Sequence, residues 1–178
     1  MSQTTHAKST AITNLDATPA VANTTGEGGE GHLREIDAYV STVSADLALS
    51  TYQLVRVRSN VKLKSLVFEA QAMSAGKVQL GLYYSDDVRD GTSLANSGLV
   101  VPSGVALFSG DIDCASAVAP AEVLTEANSY TPVMRNQPLW QAAGLATDPG
   151  GKFDIVATCH TTAITTGARL NVKAFYVN

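Results

Sequence analysis

The sequence predicts an all-β protein, an antiparallel β-sandwich with one short helix and an extended N-terminal arm. Three observations lead there. In residues 77–84, Val78, Leu80, Leu82 and Tyr84 fall on one face and Lys77, Gln79, Gly81 and Tyr83 on the other, the period-2 pattern of a half-buried strand. Residues 52–84 read as three such strands in succession with short turns between them. Towards the C-terminus Leu170, Val172, Ala174 and Tyr176 again occupy every second position.

The chain has 178 residues, and with the polar opening segment set aside it still leaves a sizeable domain. A domain of roughly 150 residues buries about 68–70 % of the surface its unfolded chain exposes, so neither a disulfide nor a metal is required for folding. Hydrophobic residues make up 45 % and charged residues 16 %, so the surface is built largely from Ser, Thr, Asn, Gln and small residues. The formal charge of −4 argues against nucleic acid or an anionic membrane as a partner, because both reward clustered Lys and Arg. The densest positive group, Arg56, Arg58, Lys62 and Lys64, alternates along strand positions and reads as a solvated face ahead of a phosphate contact.

Residues 1–34 are assigned to the arm and residues 35–178 to the sandwich. Residues 1–31 are rich in Thr, Ser, Ala and Gly, hold only scattered apolar side chains (Ile12, Leu15, Val21) and close on GEGGEG. Such a segment buries too little apolar area to offset its ordering entropy, so alone it is extended or disordered, and a partner is needed to order it. It is either a terminus without a role or an arm lying along a neighbouring subunit. Beyond it Tyr39, Val40, Val43, Leu47 and Leu49 recur, and the β-branched content of residues 39–43 favours a strand.

Residues 52–58 form the next strand, Ser59-Asn60 supplies a turn, and residues 61–73 form a longer strand. In that strand Lys62 and Lys64 are polar while Leu66, Phe68 and Ala70, at the same parity, are apolar. A bulge near Ser65 restores one continuous core face, since one extra residue shifts the alternation by one. Residues 74–76 then turn the chain into the strand that ends at Tyr84. The connection over residues 85–104 carries Asp86, Asp87, Asp90 and Gly91, whose spacing lacks the register of a calcium loop; a solvated turn is expected.

Residues 105–115 return to strand, with Phe108, Gly110, Ile112 and Cys114 inward and Asp111 and Asp113 outward on a solvated face. Residues 120–127 fit a short helix or a strand equally well. In RNQPLWQAAGL, Asn136 suits a cap, Pro138 a first helical turn and Gly144 the position past the end of a short helix. Leu139 and Trp140 anchor that helix on the sandwich, with Trp140 as a sugar-stacking platform the sharper alternative. Asp148-Pro149-Gly150-Gly151 makes a turn into the strand of residues 152–161. There Phe153, Ile155, Ala157 and Cys159 face inward and Asp154, Thr158 and His160 outward, which leaves His160 a surface histidine without an obvious carboxylate. Residues 161–167 are expected to make a hairpin to the closing strand, residues 168–177.

No stretch declares a reaction. The sequence lacks GxSxG, HExxH and a P-loop, and its three histidines, His6, His32 and His160, are far apart. No catalytic, cofactor-binding or metal-ligating residue is assigned, and a non-enzymatic protein is expected. Cys114 and Cys159 are two buried free thiols or a disulfide; neither a CxxC nor a His pair accompanies them for a metal site. The N-terminus lacks the apolar core of a secretory signal, and no run reaches the ~18 apolar residues of a membrane helix. A protein made in the cytoplasm and kept in solution is expected.

Taken together, TYQLVRVRSNVKLKSLVFEAQAM, GKVQLGLYYSDD, QPLWQAAGLATDPGGKFDIVATC and the closing LNVKAFYV resemble the small virion structural proteins of tailed bacteriophages. The likeness is strongest over residues 52–84 and 138–156 and extends loosely over residues 39–177. It implies a jelly-roll or related β-sandwich and a capsid decoration or cement protein on the virion exterior, a homotrimer with the major capsid protein as its partner. It carries over no active-site residue, no cofactor and no metal. Two other classes stay open. One is a tail or fibre module binding host glycan through Tyr83, Tyr130 or Trp140; the other is a head-tail adaptor.

Overall fold

The structure, a computed structural model, describes residues 32–42, 50–73, 76–85, 101–102, 104, 106–124, 130–160 and 167–178. The chain divides into two units, Met1–Leu33 and Arg34–Asn178, and the second holds the sandwich. The arm expected over residues 1–31, Val43, Leu47 and Leu49, and the Asp86, Asp87 and Asp90 connection lie outside the described residues.

Eight strands are described: β1 (Leu33–Ser41), β2 (Thr51–Arg58), β3 (Lys62–Ala70), β4 (Lys77–Tyr84), β5 (Ser109–Asp113), β6 (Val118–Glu122), β7 (Lys152–Cys159) and β8 (Arg169–Val177). A 3-10 turn, Met134–Asn136, and one helix, α1 (Leu139–Ala142), lie between β6 and β7. β1 thus begins inside the span read as arm. The strands form two four-stranded sheets, sheet I in the order β1-β8-β3-β6 and sheet II in the order β2-β7-β4-β5. First neighbours eighth, second seventh, third sixth and fourth fifth, so the strands nest as in one long hairpin rolled into two layers. That is the double Greek key of a jelly roll.

The period-2 pattern explains why the layers close. Leu63, Leu66, Phe68 and Ala70 of β3 and Leu170, Val172 and Ala174 of β8 point from sheet I into the core. Val78, Leu80 and Leu82 of β4 and Phe153, Ile155 and Ala157 of β7 meet them from sheet II. Burying each Leu, Ile or Phe side chain contributes about 1.5–3 kcal/mol. Phe108 and Tyr130 pack with ring centroids 5.4 Å apart in a tilted pair.

The bulge is where β3's alternation requires it. Leu63 pairs with Tyr176 and Ser65 with Phe175, so the register shifts between them and Lys64 and Ser65 are both half-buried. Glu122 of β6 accepts hydrogen bonds at this irregularity from the Ser65 hydroxyl, the Leu66 amide (3.1 Å) and the Leu124 amide (3.1 Å). The stretch that fitted helix or strand is strand over Val118–Glu122, and it tolerates Pro120 because β6 is a sheet edge.

Four local expectations are corrected. β7 and β8 lie in different sheets, so their connection passes from one layer to the other and makes no hairpin. Asp154 and Thr158 do point away from the core, as the alternation requires, but they are buried there, each 2 % exposed, with β2 and β4 flanking β7 on both sides and Arg56 and Tyr83 bonded to them. β5 starts only at Ser109. Asn136 does not cap α1: it closes the 3-10 turn, its side-chain amide donating to the Pro132 carbonyl, and Pro138 is the N-cap.

The far end of α1 follows the sequence. Gly144 adopts φ +80°, its amide bonds to the Gln141 carbonyl and the Leu145 amide to Trp140, a Schellman closure that needs a left-handed residue. The Leu139 and Trp140 amides donate to the Val61 and Ser59 carbonyls, which pins α1 to the β2–β3 turn. Leu139 is fully buried and Trp140 packs partly buried against the core, the anchoring role expected of both.

Candidate functional site

Three polar features occupy the outside of the sandwich. The first is the outer face of sheet II. Arg56 lies opposite Asp154 across β2 and β7, its Nε 2.5 Å from Oδ1 and its second terminal nitrogen 2.7 Å from Oδ2. Further along, the Tyr83 and Thr158 hydroxyls are 2.9 Å apart. The Gln79 amide donates to Asp111 Oδ1 at 2.7 Å, and His160 Nδ1 reaches the same oxygen at 2.7 Å. His160 therefore does have a carboxylate partner, one brought from β5. The hydrogen bonds from His160 and then Gln79 hold the Asp111 carboxyl below its ordinary range.

The second feature is a cleft of about 580 Å³ on the outer face of sheet I. Its walls carry Asp37 and Tyr39 from β1, Arg169 and Asn171 from β8, Glu69 from β3 and the adjoining Gln71, with Val118 of β6 as apolar surface. The Arg169 guanidinium lies 5.3 Å from the centroid of the Tyr39 ring. Asn171 donates to Glu69 at 2.9 Å, and the Arg169 amide to the Gln71 side chain at 3.1 Å. Beside the cleft, Lys173 reaches Glu35 at 3.2 Å and Asp37 at 3.6 Å, and the Glu35 bond first of all holds its ammonium above the usual lysine range.

The third is a basic corner where the two sheets meet. Arg34, Arg56, Arg58 and Lys152 line a hollow of about 280 Å³ with Tyr176 and Asn178. Arg58 and Lys152 also line a neighbouring hollow of about 430 Å³ with Asp148, Gly150 and Gly151. The basic group read from the sequence is thereby split. Arg56 and Arg58 join Arg34 and Lys152, whereas Lys64 bonds to the Arg135 carbonyl (3.0 Å) and the Asn136 side chain (2.9 Å). Burial foremost, then Lys62 and Arg135, lowers the Lys64 pKa.

The aromatic side chains expected to stack on sugar are placed elsewhere. Tyr130 is 2 % exposed, Tyr83 is half-buried against Thr158, and Trp140 packs on the core. Tyr39, at 66 % exposure, is the aromatic most open to solvent. The sequence had marked Tyr39 only as a strand residue, and the alternation of β1 was the signal that it points outward.

Cys114 and Cys159 are both buried and free. Val78 of β4 pairs with Cys159 of β7 on one side and with Ile112 of β5 on the other, and the Cys114 amide bonds to Gly76. The cysteines are therefore separated by two strand spacings, at least roughly 9–10 Å, and are offset along the strands as well, beyond the ~7 Å that a disulfide spans. Burial pushes the Cys114 thiol up to about 12, with Asp113 and Cys159 adding to it. Asp111 and Asp113 are exposed as expected. Among the described residues no three His, Cys, Asp or Glu side chains are grouped to hold a metal ion, and no helix is long and apolar enough to cross a membrane.

The class defined by these features is an eight-stranded antiparallel jelly roll whose outer faces carry polar surfaces. No protein-family model and no curated relative matches the chain. Among solved structures it is similar to a chain from the "Cyanophage Pam1 capsid asymmetric unit", at 11 % sequence identity and a TM-score of 0.53. The match covers 91 % of this chain and 96 % of the other. At that identity the likeness is one of fold.

Proposed function

We propose that this protein is a non-enzymatic structural protein of a phage virion, one that decorates and cements the capsid. The observation that carries the reading is end-to-end correspondence of fold with a chain from a phage capsid, over nine-tenths of both chains. Its partner is the major capsid protein, its own assembly a homotrimer, and its place the capsid exterior. Neither nucleic acid nor a membrane takes part in this reading.

A cement protein works by mass action. It binds the assembled shell and not dispersed subunits, so its binding free energy adds to the stability of the shell. Residues 1–31 act as an arm that spans to an adjacent subunit and becomes ordered there, at the entropic cost of coupled folding and binding.

Copy number tests the reading. Quantitative mass spectrometry of purified virions is expected to find this chain near parity with the major capsid protein. A handful of copies per particle would place it at a vertex or tail, and absence from the virion would overturn the capsid role altogether. Removal of residues 1–31 is expected to leave the sandwich folded and weaken attachment to capsids; undiminished binding would refute the role of the arm.

A further inference from the structure

We propose that the cleft across the outer face of sheet I is a carbohydrate-binding site that takes a neutral saccharide against Tyr39. This goes beyond the capsid role and does not depend on it, since the cleft lies within one chain.

The argument begins with what the cleft offers a ligand. A pyranose presents two chemistries, an apolar face of C–H groups and a ring of vicinal hydroxyls. The first needs a flat apolar surface, and Tyr39 supplies one: the residue is 66 % exposed with the Arg169 guanidinium over one side of its ring. The second needs planar groups able to engage neighbouring hydroxyls in pairs. Asp37, Glu69, Gln71, Arg169 and Asn171 converge on the same cleft, and all five carry a carboxylate, amide or guanidinium.

Charge and size narrow the ligand. The cleft holds two carboxylates, Asp37 and Glu69, against one guanidinium, Arg169. That balance disfavours a phosphate, a sulfate or an acidic sugar. The volume of about 580 Å³ lies in the range of small-molecule sites, roughly 300–1,000 Å³, and has room for a disaccharide. The polar walls offer little to a purely apolar ligand.

The groups are also held before a ligand arrives. Glu69 and Asn171 stand opposite each other across β3 and β8 and are joined by a hydrogen bond. Gln71 is fixed by the Arg169 amide, and the Arg169 side chain rests on Tyr39. A carboxylate has about four lone-pair sites, so Glu69 can keep Asn171 and still accept from a hydroxyl. Side chains already ordered lose less entropy on binding.

The test is an NMR titration of the isotope-labelled full chain with neutral methyl glycosides of glucose, galactose and mannose, N-acetylglucosamine, lactose and cellobiose. At least one sugar is expected to give saturable shifts centred on Tyr39, Glu69, Arg169 and Asn171, with a dissociation constant on the order of 1 mM. Tyr39→Ala and Glu69→Gln are each expected to weaken binding about tenfold, or about 1.4 kcal/mol, and Tyr39→Phe to retain it. Both positions are surface-facing, and an unchanged thermal melt verifies folding. The proposal is overturned if none of these sugars moves those resonances, or if the shifts survive Tyr39→Ala. It is also overturned if Tyr39→Ala dissociates an oligomer, since the face is then a subunit contact. None of these outcomes bears on the copy number in virions, so the two readings fail separately.

Discussion

Arg56 and Asp154 stand directly opposite each other on β2 and β7, and the guanidinium closes both carboxylate oxygens, at 2.5 and 2.7 Å. Asp154 is 2 % exposed and Arg56 30 %, so one member of the pair has left water and depends on the other. Arg56→Ala strands a buried carboxylate and is expected to cost about 3 kcal/mol, the low end of the range for breaking a buried pair because Arg56 keeps some solvent. Removing both charges with Arg56→Met and Asp154→Leu is expected to cost less than Arg56→Ala alone. Urea denaturation of Arg56→Ala and of the double variant measures the difference, and a double variant no more stable than Arg56→Ala refutes it.

Glu122 holds the β3 bulge through the Ser65 hydroxyl and the Leu66 and Leu124 amides. Glu122→Ala takes the acceptor from two backbone amides at residues that are themselves fully buried. A loss of about 1–3 kcal/mol is expected, seen as a lower urea midpoint at unchanged slope.

Asp111 titrates below an ordinary aspartate because His160, and then Gln79, hydrogen-bond to its charged form. A depressed folded pKa contributes stability above the unfolded value, and the contribution is lost as pH falls through the folded value. The carboxyl carbon resonance of Asp111 is expected to titrate below the usual aspartate midpoint and to move back towards it in His160→Ala. Identical midpoints in the two proteins would show that the pair does not form in solution.

Cys114 is buried and its pKa is raised from 9.0 to about 12. Its share of stability is whole below the ordinary thiol pKa and is lost as pH rises from there towards 12, because the unfolded chain ionises first. At pH 8 a thiol reagent is expected to leave Cys114 and Cys159 untouched in the native protein and to label both in urea. Rapid labelling of the native protein would contradict the burial.

How much of this was legible in the sequence follows the distance between partners. The Ser65 bulge was readable because Lys64 and Leu66 break parity within one strand, and Gly144 because a helix end is punctuated locally. The outward direction of Asp154 was legible but its burial was not, because a single strand's alternation cannot tell an edge from a centre: its partner Arg56 is 98 positions away. His160 lacked a visible carboxylate for the same reason, since Asp111 reaches it only once β4 lies between β5 and β7. The Tyr39 cleft draws on four strands, and no local pattern announces such a gathering.

The nested strand order sets a timetable for synthesis. β1 is one of the two edge strands of sheet I, and its hydrogen-bonded neighbour there is β8. On the ribosome β1 emerges first among the described strands and waits for β8, described last, before its edge is satisfied. Contacts closed over so long a loop form slowly. The nascent chain therefore carries an unpaired strand through most of its translation, and the exposed charges Arg34, Glu35 and Asp37 along β1 are of the kind that disfavours edge-to-edge pairing in the meantime.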